Sequence, residues 1–468
     1  MSIIPLITSG LILFLVSGCQ TNSISSGNQP GQNTDLDSGG REAYSHYCRA
    51  VYHEYHGEID AALREYRKVL ELDPESVDAS IKIGSIFLSR NEAEESIEWL
   101  TRARQLDPDS YRASFLLATA YLKGQREDEA LKEYREAIRI SPEERSPYLI
   151  IATIYTRRED YEAALQTYLE AVQHAPEQPN LWFKLGLLYT KQEKIPSAIQ
   201  MFRKTLELVP TSLEARLALA LAYDLHDDDN MAIEEYEKAR EIAPTNATIY
   251  RRLGILYFSA SRLKDSINTF LRLLELEPDS SNIYFMLGTA YLNDENYPEA
   301  IKTFKILLEQ EQKNDLINFN LGAAYERNGD FEKATRQFEA AIEINPLNAE
   351  AYNYLGYMYV EKGIRLDEAL ELIHRALELE PGNGAFLDSL GWAYYRKGLT
   401  DQAVEKLEEA TSIIPGDPTG HDHLGDAYAQ QKELSRAIEE WKKALALGAH
   451  NPDQIREKIE KAGMGNGE

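Results

Sequence analysis

PNLWFKLGLLYTKQEKIPSAIQMFRKTLELVPTS, residues 179–212, decides the fold. It reads as two helical segments and a turn: Trp182, Leu185, Gly186 and Tyr189 mark the first helix, Ala198 and Phe202 the second, and Pro210 the way out. Moving outward in either direction, the same register returns every 34 residues, with starts at 43, 77, 111, 145, 179, 213, 247, 281, 315, 349, 384 and 418. A short fixed period of this kind means that each unit contacts only its neighbours, so the usual link between length and domain number does not apply to these 468 residues.

Two columns of small residues carry the packing. At the eighth position every repeat has Gly or Ala, from Ala50 and Gly84 to Gly391 and Gly425; helices approach closely only where one side lacks a bulky side chain, so this column marks the crossing of the two helices of a repeat. A second column runs from Ala62 and Ser96 to Ala403 and Ala437. Aromatic residues such as Tyr223, Tyr257 and Tyr359 on first helices, and Tyr66, Phe202 and Trp441 on second helices, fill the spaces between, which accounts for the 28 tyrosines as core. Prolines such as Pro74, Pro108 and Pro278 end the second helices. Repeat 10 has one extra residue near Gly363–Leu366, and repeat 8 has Gln312 in place of the proline, which predicts a looser turn or a longer helix there. After residue 451, Asn451-Pro452-Asp453 reads as a helix start and Gly463 as a stop, bracketing a polar capping helix.

This register resembles the tetratricopeptide repeat (TPR) family, most fully in repeat 5. The resemblance implies an all-α, right-handed superhelical solenoid of about twelve helix-turn-helix repeats over 43–451, with a capping helix and tail at 452–468. In that family positions 2, 5, 9 and 12 of the first helices face a concave groove. Carried over, they assign a partner-binding path of Phe115, Leu122, Leu149, Phe183, Leu187, Leu217, Leu221, Ile255, Phe258, Phe285, Leu292, Leu316, Phe319, Tyr357, Trp392 and Tyr395. So much exposed apolar surface implies a bound protein segment, self-association or closure of the superhelix on itself. Asp388, Asp422 and Asp426 put carboxylates beside Trp392 and Tyr395, suited to a basic or polar peptide end. The Lys and Asn pair with which some family members grip acidic chaperone tails is missing from every repeat.

Residues 2–18 are uncharged and mostly apolar and end Leu15-Val16-Ser17-Gly18-Cys19, after which the chain turns polar. This reads as an export signal over 1–18, and the last residues resemble a bacterial lipobox that would make Cys19 the lipid attachment site. No Lys or Arg precedes the run, and a retained membrane helix is the other reading of it. Gln20, in place of an aspartate that retains lipoproteins in the inner membrane, favours the periplasmic side of the outer membrane. Residues 19–42 read as a polar tether, with a reach of roughly 25 Å over 20–40. The second cysteine, Cys48, reads as a packed small residue.

The 77 acidic and 50 basic residues leave a net charge of −27, which repels phosphate backbones and excludes nucleic acid as a natural partner. His421, Asp422, His423 and Asp426 lack the facing geometry of a metal site, and His226-Asp227-Asp228-Asp229 lacks a calcium loop's alternating ligands and reads as a helix cap. There is no phosphate loop, nucleophile elbow or dinucleotide fingerprint, so no cofactor and no catalytic role are expected. Asn353-Tyr-Leu-Gly356, Asp388-Ser-Leu-Gly-Trp392 and His423-Leu-Gly-Asp426 resemble a Gram-negative group of TPR lipoproteins that includes an adaptor of a periplasmic carboxyl-terminal processing protease. The resemblance implies an adaptor that recruits or activates such a protease; a scaffold of an exopolysaccharide-export or pilus-assembly complex is the alternative.

Overall fold

The computed structural model describes residues 38–311 and 313–465. Among these residues there are twenty-five helices and no strand: twelve pairs, one per repeat, followed by a C-terminal helix, Pro452–Gly465. The first helix of each pair is termed A and the second B. Two compact units are formed, one ending at Pro176 with repeats 1–4 and one running from Glu177 with repeats 5–12 and the C-terminal helix. The first helix begins at Ser38, so the last residues of the predicted tether are already helical. The export signal, Cys19 and the rest of the tether lie outside the described residues.

The repeat punctuation has identifiable causes. A helices start at a cap column, the last position of the preceding repeat. There Ser76, Ser110, Ser212, Asn246, Asn314, Asn348, Asn383 and Asp417 accept hydrogen bonds from first-turn amides that have no partner in the helix. Asp228 does the same for a B helix, accepting from the Met231 amide, which gives the aspartate run of repeat 6 its role as a cap. The turn from A to B is made in every repeat by one left-handed residue at position 15. It is glycine at 57, 329, 363 and 398 but Asn91, Gln125, Glu159, Glu193, Asp227, Ser261, Glu295 and Lys432 elsewhere. Left-handed backbone costs a residue with a Cβ about 1–2 kcal/mol, partly offset because glycine loses more freedom on folding. Glu295→Gly, at an exposed side chain with φ of 58°, is therefore expected to raise stability by about 0.5–1 kcal/mol, read as a higher urea midpoint. A lower midpoint would show that the turn is not strained.

The extra residue of repeat 10 is absorbed in that same turn, where Arg365 becomes a second left-handed residue after Gly363 (φ 46° and 67°). In repeat 8 the B helix, Tyr297–Gln310, has the same 14 residues as its neighbours, so the missing proline does not lengthen it. Gln312 itself lies outside the described residues.

Within a repeat, position 8 of helix A meets position 24 of helix B. A Cβ added to Gly254 would lie 2.3 Å from the Phe270 ring, and one on Gly186 2.4 Å from Phe202. The two positions vary together: Gly faces Phe202, Phe270, Phe304, Phe338, Leu100, Ile373, Leu407 or Trp441, whereas Ala50, Ala118, Ala152 and Ala220 belong to repeats with Tyr66, Tyr134, Tyr168 or Tyr236. The tyrosine hydroxyl finds its own partner, Glu54 for Tyr66 and Thr119 for Tyr134. Between repeats, A helices pack on neighbouring A helices more closely than B helices pack on B helices, so the A helices form the inner wall of each unit.

Candidate functional site

The inner wall is the natural place for a partner, and the predicted groove residues can be located on it. In the first unit Phe115 is half-buried with its ring edge-on to Tyr134 at 5.5 Å, and Leu122 and Leu149 are half-buried. In the second unit Phe183, Phe285 and Phe319 rest on Phe202, Phe304 and Phe338 of their own repeats at 5.8, 6.1 and 5.7 Å. These position-5 phenylalanines staple helix A to helix B of one repeat. Their partners stand 19 residues on, so each ring has a covered face before any ligand arrives. Leu217, Phe258, Leu292 and Tyr357 also pack partly into the core. Burial, then the carboxylates of Glu361, Asp388 and Glu326, push the Tyr357 hydroxyl pKa above its usual range.

What stays open is narrower than the predicted path. Leu187, Leu221 and Ile255 are 41, 37 and 43 % exposed and occupy position 9 of three consecutive repeats; Leu316, 50 % exposed, stands apart at position 2 of repeat 9. Threonine takes position 9 on either side, at Thr153 and Thr289. Neighbouring helices lie about 8–10 Å apart, so the three aliphatic side chains form a ladder about 20 Å long on the wall of the second unit.

The carboxyl-terminal residues require a correction. Trp392, Asp388, Asp422 and Asp426 were expected to face an incoming peptide, but the fold uses them internally. Trp392 is 9 % exposed and lies in a stack of three parallel rings, with Tyr395 at 4.6 Å on one side and His423 at 4.1 Å on the other, both tilted by 11°. Its Nε1 donates to Glu361 at 2.6 Å. His423 Nδ1 donates to both oxygens of Asp388, at 3.0 and 3.1 Å. Lys458 of the C-terminal helix reaches Asp422 at 2.8 Å and Asp426 at 2.7 Å, and Trp441 Nε1 also donates to Asp426. A basic group does occupy the carboxylates, but the chain supplies it.

The electrostatics follow from these contacts. Burial alone would depress the His423 pKa, yet the Asp388 carboxylate, its hydrogen bond and the nearby Asp422 and Asp426 outweigh burial and raise it. Burial raises the Asp426 pKa against the pull of Lys458, and the same two aspartates hold Lys458 above its usual range despite its desolvation. Two residues before His423 and on the opposite side of the helix, His421 has Glu440 at 2.6 Å from Nδ1 and the Pro415 carbonyl at 3.1 Å from Nε2. The repeat-12 A helix, Pro418–Gln430, is thus bolted to both neighbours by buried histidines. Glu361 and Lys458 are absent from the sequence reading, and His423 enters it only as a rejected metal ligand and within a family word, because their partners lie one repeat away; the spacing of 35 residues between Asp388 and His423 was the visible signal.

The expectation for Cys48 is also corrected: it is exposed, because it lies on the outer face of the first helix. No group of three metal-ligating side chains gathers among the described residues, and none of their helices is long and apolar enough to cross a membrane.

Comparison with known proteins agrees with this geometry. A tetratricopeptide repeat family matches residues 49–111, 100–145 and 183–247, a second TPR repeat family matches 152–193, and the cilia and flagella-associated protein 70 C-terminal domain family matches 243–459. No curated protein matches the chain. Among solved structures, yeast Tom70 is 18 % identical over 91 % of this chain and 96 % of its own, with a TM-score of 0.44. A tetratricopeptide repeat protein from Parabacteroides merdae is 17 % identical over 54 % of this chain and 98 % of its own, with a TM-score of 0.48. MamA is 27 % identical over 35 % of this chain and 94 % of its own, with a TM-score of 0.33. Repeat matches along the chain, a 34-residue register and paired helices crossing at a glycine or alanine together show an all-α solenoid fold built of tetratricopeptide repeats.

Proposed function

We propose that this chain is a lipid-anchored binding scaffold of the bacterial envelope, attached through Cys19 to the periplasmic side of the outer membrane, and that it acts as an adaptor recruiting or activating a periplasmic protease. It works by binding, not by catalysis. The observation that carries the binding role is the ladder of Leu187, Leu221 and Ile255, three exposed aliphatic side chains in register on the inner wall. Rungs about 9 Å apart match every third residue of an extended polyproline-II segment, which makes three residues per turn and rises about 3.1 Å per residue, so that every third side chain faces the wall. The preferred partner segment is therefore extended and apolar at every third position. Anchoring is supported by the apolar run ending at Cys19, and the protease role by the words around Asn353, Asp388 and His423.

A pull-down from detergent-solubilised envelope tests this reading when the native chain is compared with Leu187→Glu plus Leu221→Glu plus Ile255→Glu. The exposed positions should tolerate the change with helicity intact, and the partner should be lost. A soluble protease that co-purifies and turns over faster with the native chain supports the adaptor; an export pore, pilus component or polymer in its place makes the chain an assembly scaffold. Unchanged partners would remove the ladder from recognition. Fatty-acid labelling that survives Cys19→Ser would refute the anchor.

A further inference from the structure

The two ends of this solenoid are finished differently. At the carboxyl end the polar helix Pro452–Gly465 covers the last repeat, burying Ile455 and Ala462 and keeping its charged side outward. Terminal repeats generally need such a polar outer face. The first helix, Ser38–Tyr55, exposes Arg41, Glu42, Ser45 and Arg49 but also an apolar stripe. It buries Ala43 and Ala50 against its own repeat and turns Tyr44, Cys48, Val51, Tyr52 and Tyr55 outward, the tyrosines 67, 60 and 86 % exposed in chain order and Val51 40 %. At 100° per residue these five fall on a single stripe. No other helix among the described residues exposes three large aromatic side chains.

We propose that this stripe is a self-association surface that takes the same helix of a second copy, in antiparallel orientation. The spacing is self-complementary: Tyr44 and Tyr52 stand four residues either side of Cys48. An isologous pair related by a two-fold axis at Cys48 sets Tyr44 against Tyr52 of the second copy, twice, and Cys48 against itself. Tyrosine side chains bury about 200 Å² each, so the three rings at their present exposure contribute about 400 Å² a side. With Val51 and the flanking backbone the total over two copies reaches about 1,000 Å², the lower bound for a specific interface and the range of weak, reversible association. Tyr52 leans on His56 with ring centroids 4.3 Å apart, which holds its ring ready on the face.

The experiment uses the full chain in mild detergent with Cys19→Ser, which leaves Cys48 as the sole thiol of a two-cysteine sequence. Sedimentation should give a dimer at micromolar concentration, and mild copper-phenanthroline oxidation should convert it to a disulfide-linked dimer. Tyr44→Ser plus Tyr52→Ser plus Tyr55→Ser, all at exposed positions, should weaken association about tenfold or more and abolish the cross-link while helicity is unchanged. A monomer in which Cys48 does not cross-link would overturn the proposal, as would a dimer that persists in the triple variant, which would place association elsewhere. Tyrosines shielded from surface labelling in a monomer would assign the stripe to residues 1–37 and also overturn it.

Discussion

Replacing Asp388 with alanine is expected to destabilise repeats 11 and 12 by up to about 3–5 kcal/mol, because it removes the carboxylate that pairs with the buried His423 ring, so the imidazole either stays charged without that partner or gives up its proton to burial, while Trp392 still holds the ring in place. In a solenoid this loss is local, so it is best read by hydrogen exchange over residues 384–446 rather than by a single melting temperature. The pH dependence separates charge from packing. His423 has a raised pKa in the fold against about 6.5 in the unfolded chain. Its pairing energy is therefore fully present below about pH 6.5 and is lost as the pH rises through the raised folded value. Asp388→Asn keeps a hydrogen-bond acceptor but removes the charge, so it should abolish this decline. Protection of repeats 11 and 12 that is as strong in Asp388→Ala as in the native chain would show that the stack, not the ion pair, locks these helices.

Phe304→Ala should cost a comparable amount, about 3–5 kcal/mol, for an unrelated reason. Phe304 is fully buried in the B helix of repeat 8, lies against Gly288 of its A helix and carries Phe285 edge-on at 6.1 Å. Its loss removes a large apolar contact and opens a cavity that the surrounding helices close only in part. The glycine supplies the control. Gly288→Ala alone forces a Cβ to within 2.7 Å of the Phe304 ring and should cost about 1–3 kcal/mol. In the Phe304→Ala background the same methyl group enters the cavity and should cost nothing or restore some stability, a coupling that urea denaturation of the four proteins measures directly. Additive effects would mean that the two residues do not share one packing site.

The covariation behind that test was legible as two separate columns, small residues at position 8 and bulky ones at position 24, but not as a pair. Which small residue goes with which ring depends on a distance, and no single repeat displays it. The left-handed residue at position 15 shows the opposite case. All twelve turns have a left-handed residue at this position, yet the residue is Glu, Gln, Asn, Asp, Ser, Lys or Gly, because a side chain that points into solvent there is not chosen by packing. Position 5 misled in a third way. Phe183, Phe285 and Phe319 are apolar and on the groove side, as the register implies, but a long side chain there bends back onto helix B of its own repeat.

The sequence by itself determined the period, the helix pairs, their crossing points and their ends, because each of these depends on residues within one 34-residue unit and is repeated twelve times. Only the tertiary structure decided what is open and what is closed. Trp392, Asp388, Asp422 and Asp426 look like a binding site until His423, Glu361 and Lys458, from neighbouring helices, are seen to occupy it. Leu187, Leu221 and Ile255 look no different from the other apolar groove positions until all of those but Leu316 are found to be partly or fully covered. Exposure is a property of the contacts that a residue makes one repeat away. A local pattern cannot contain it.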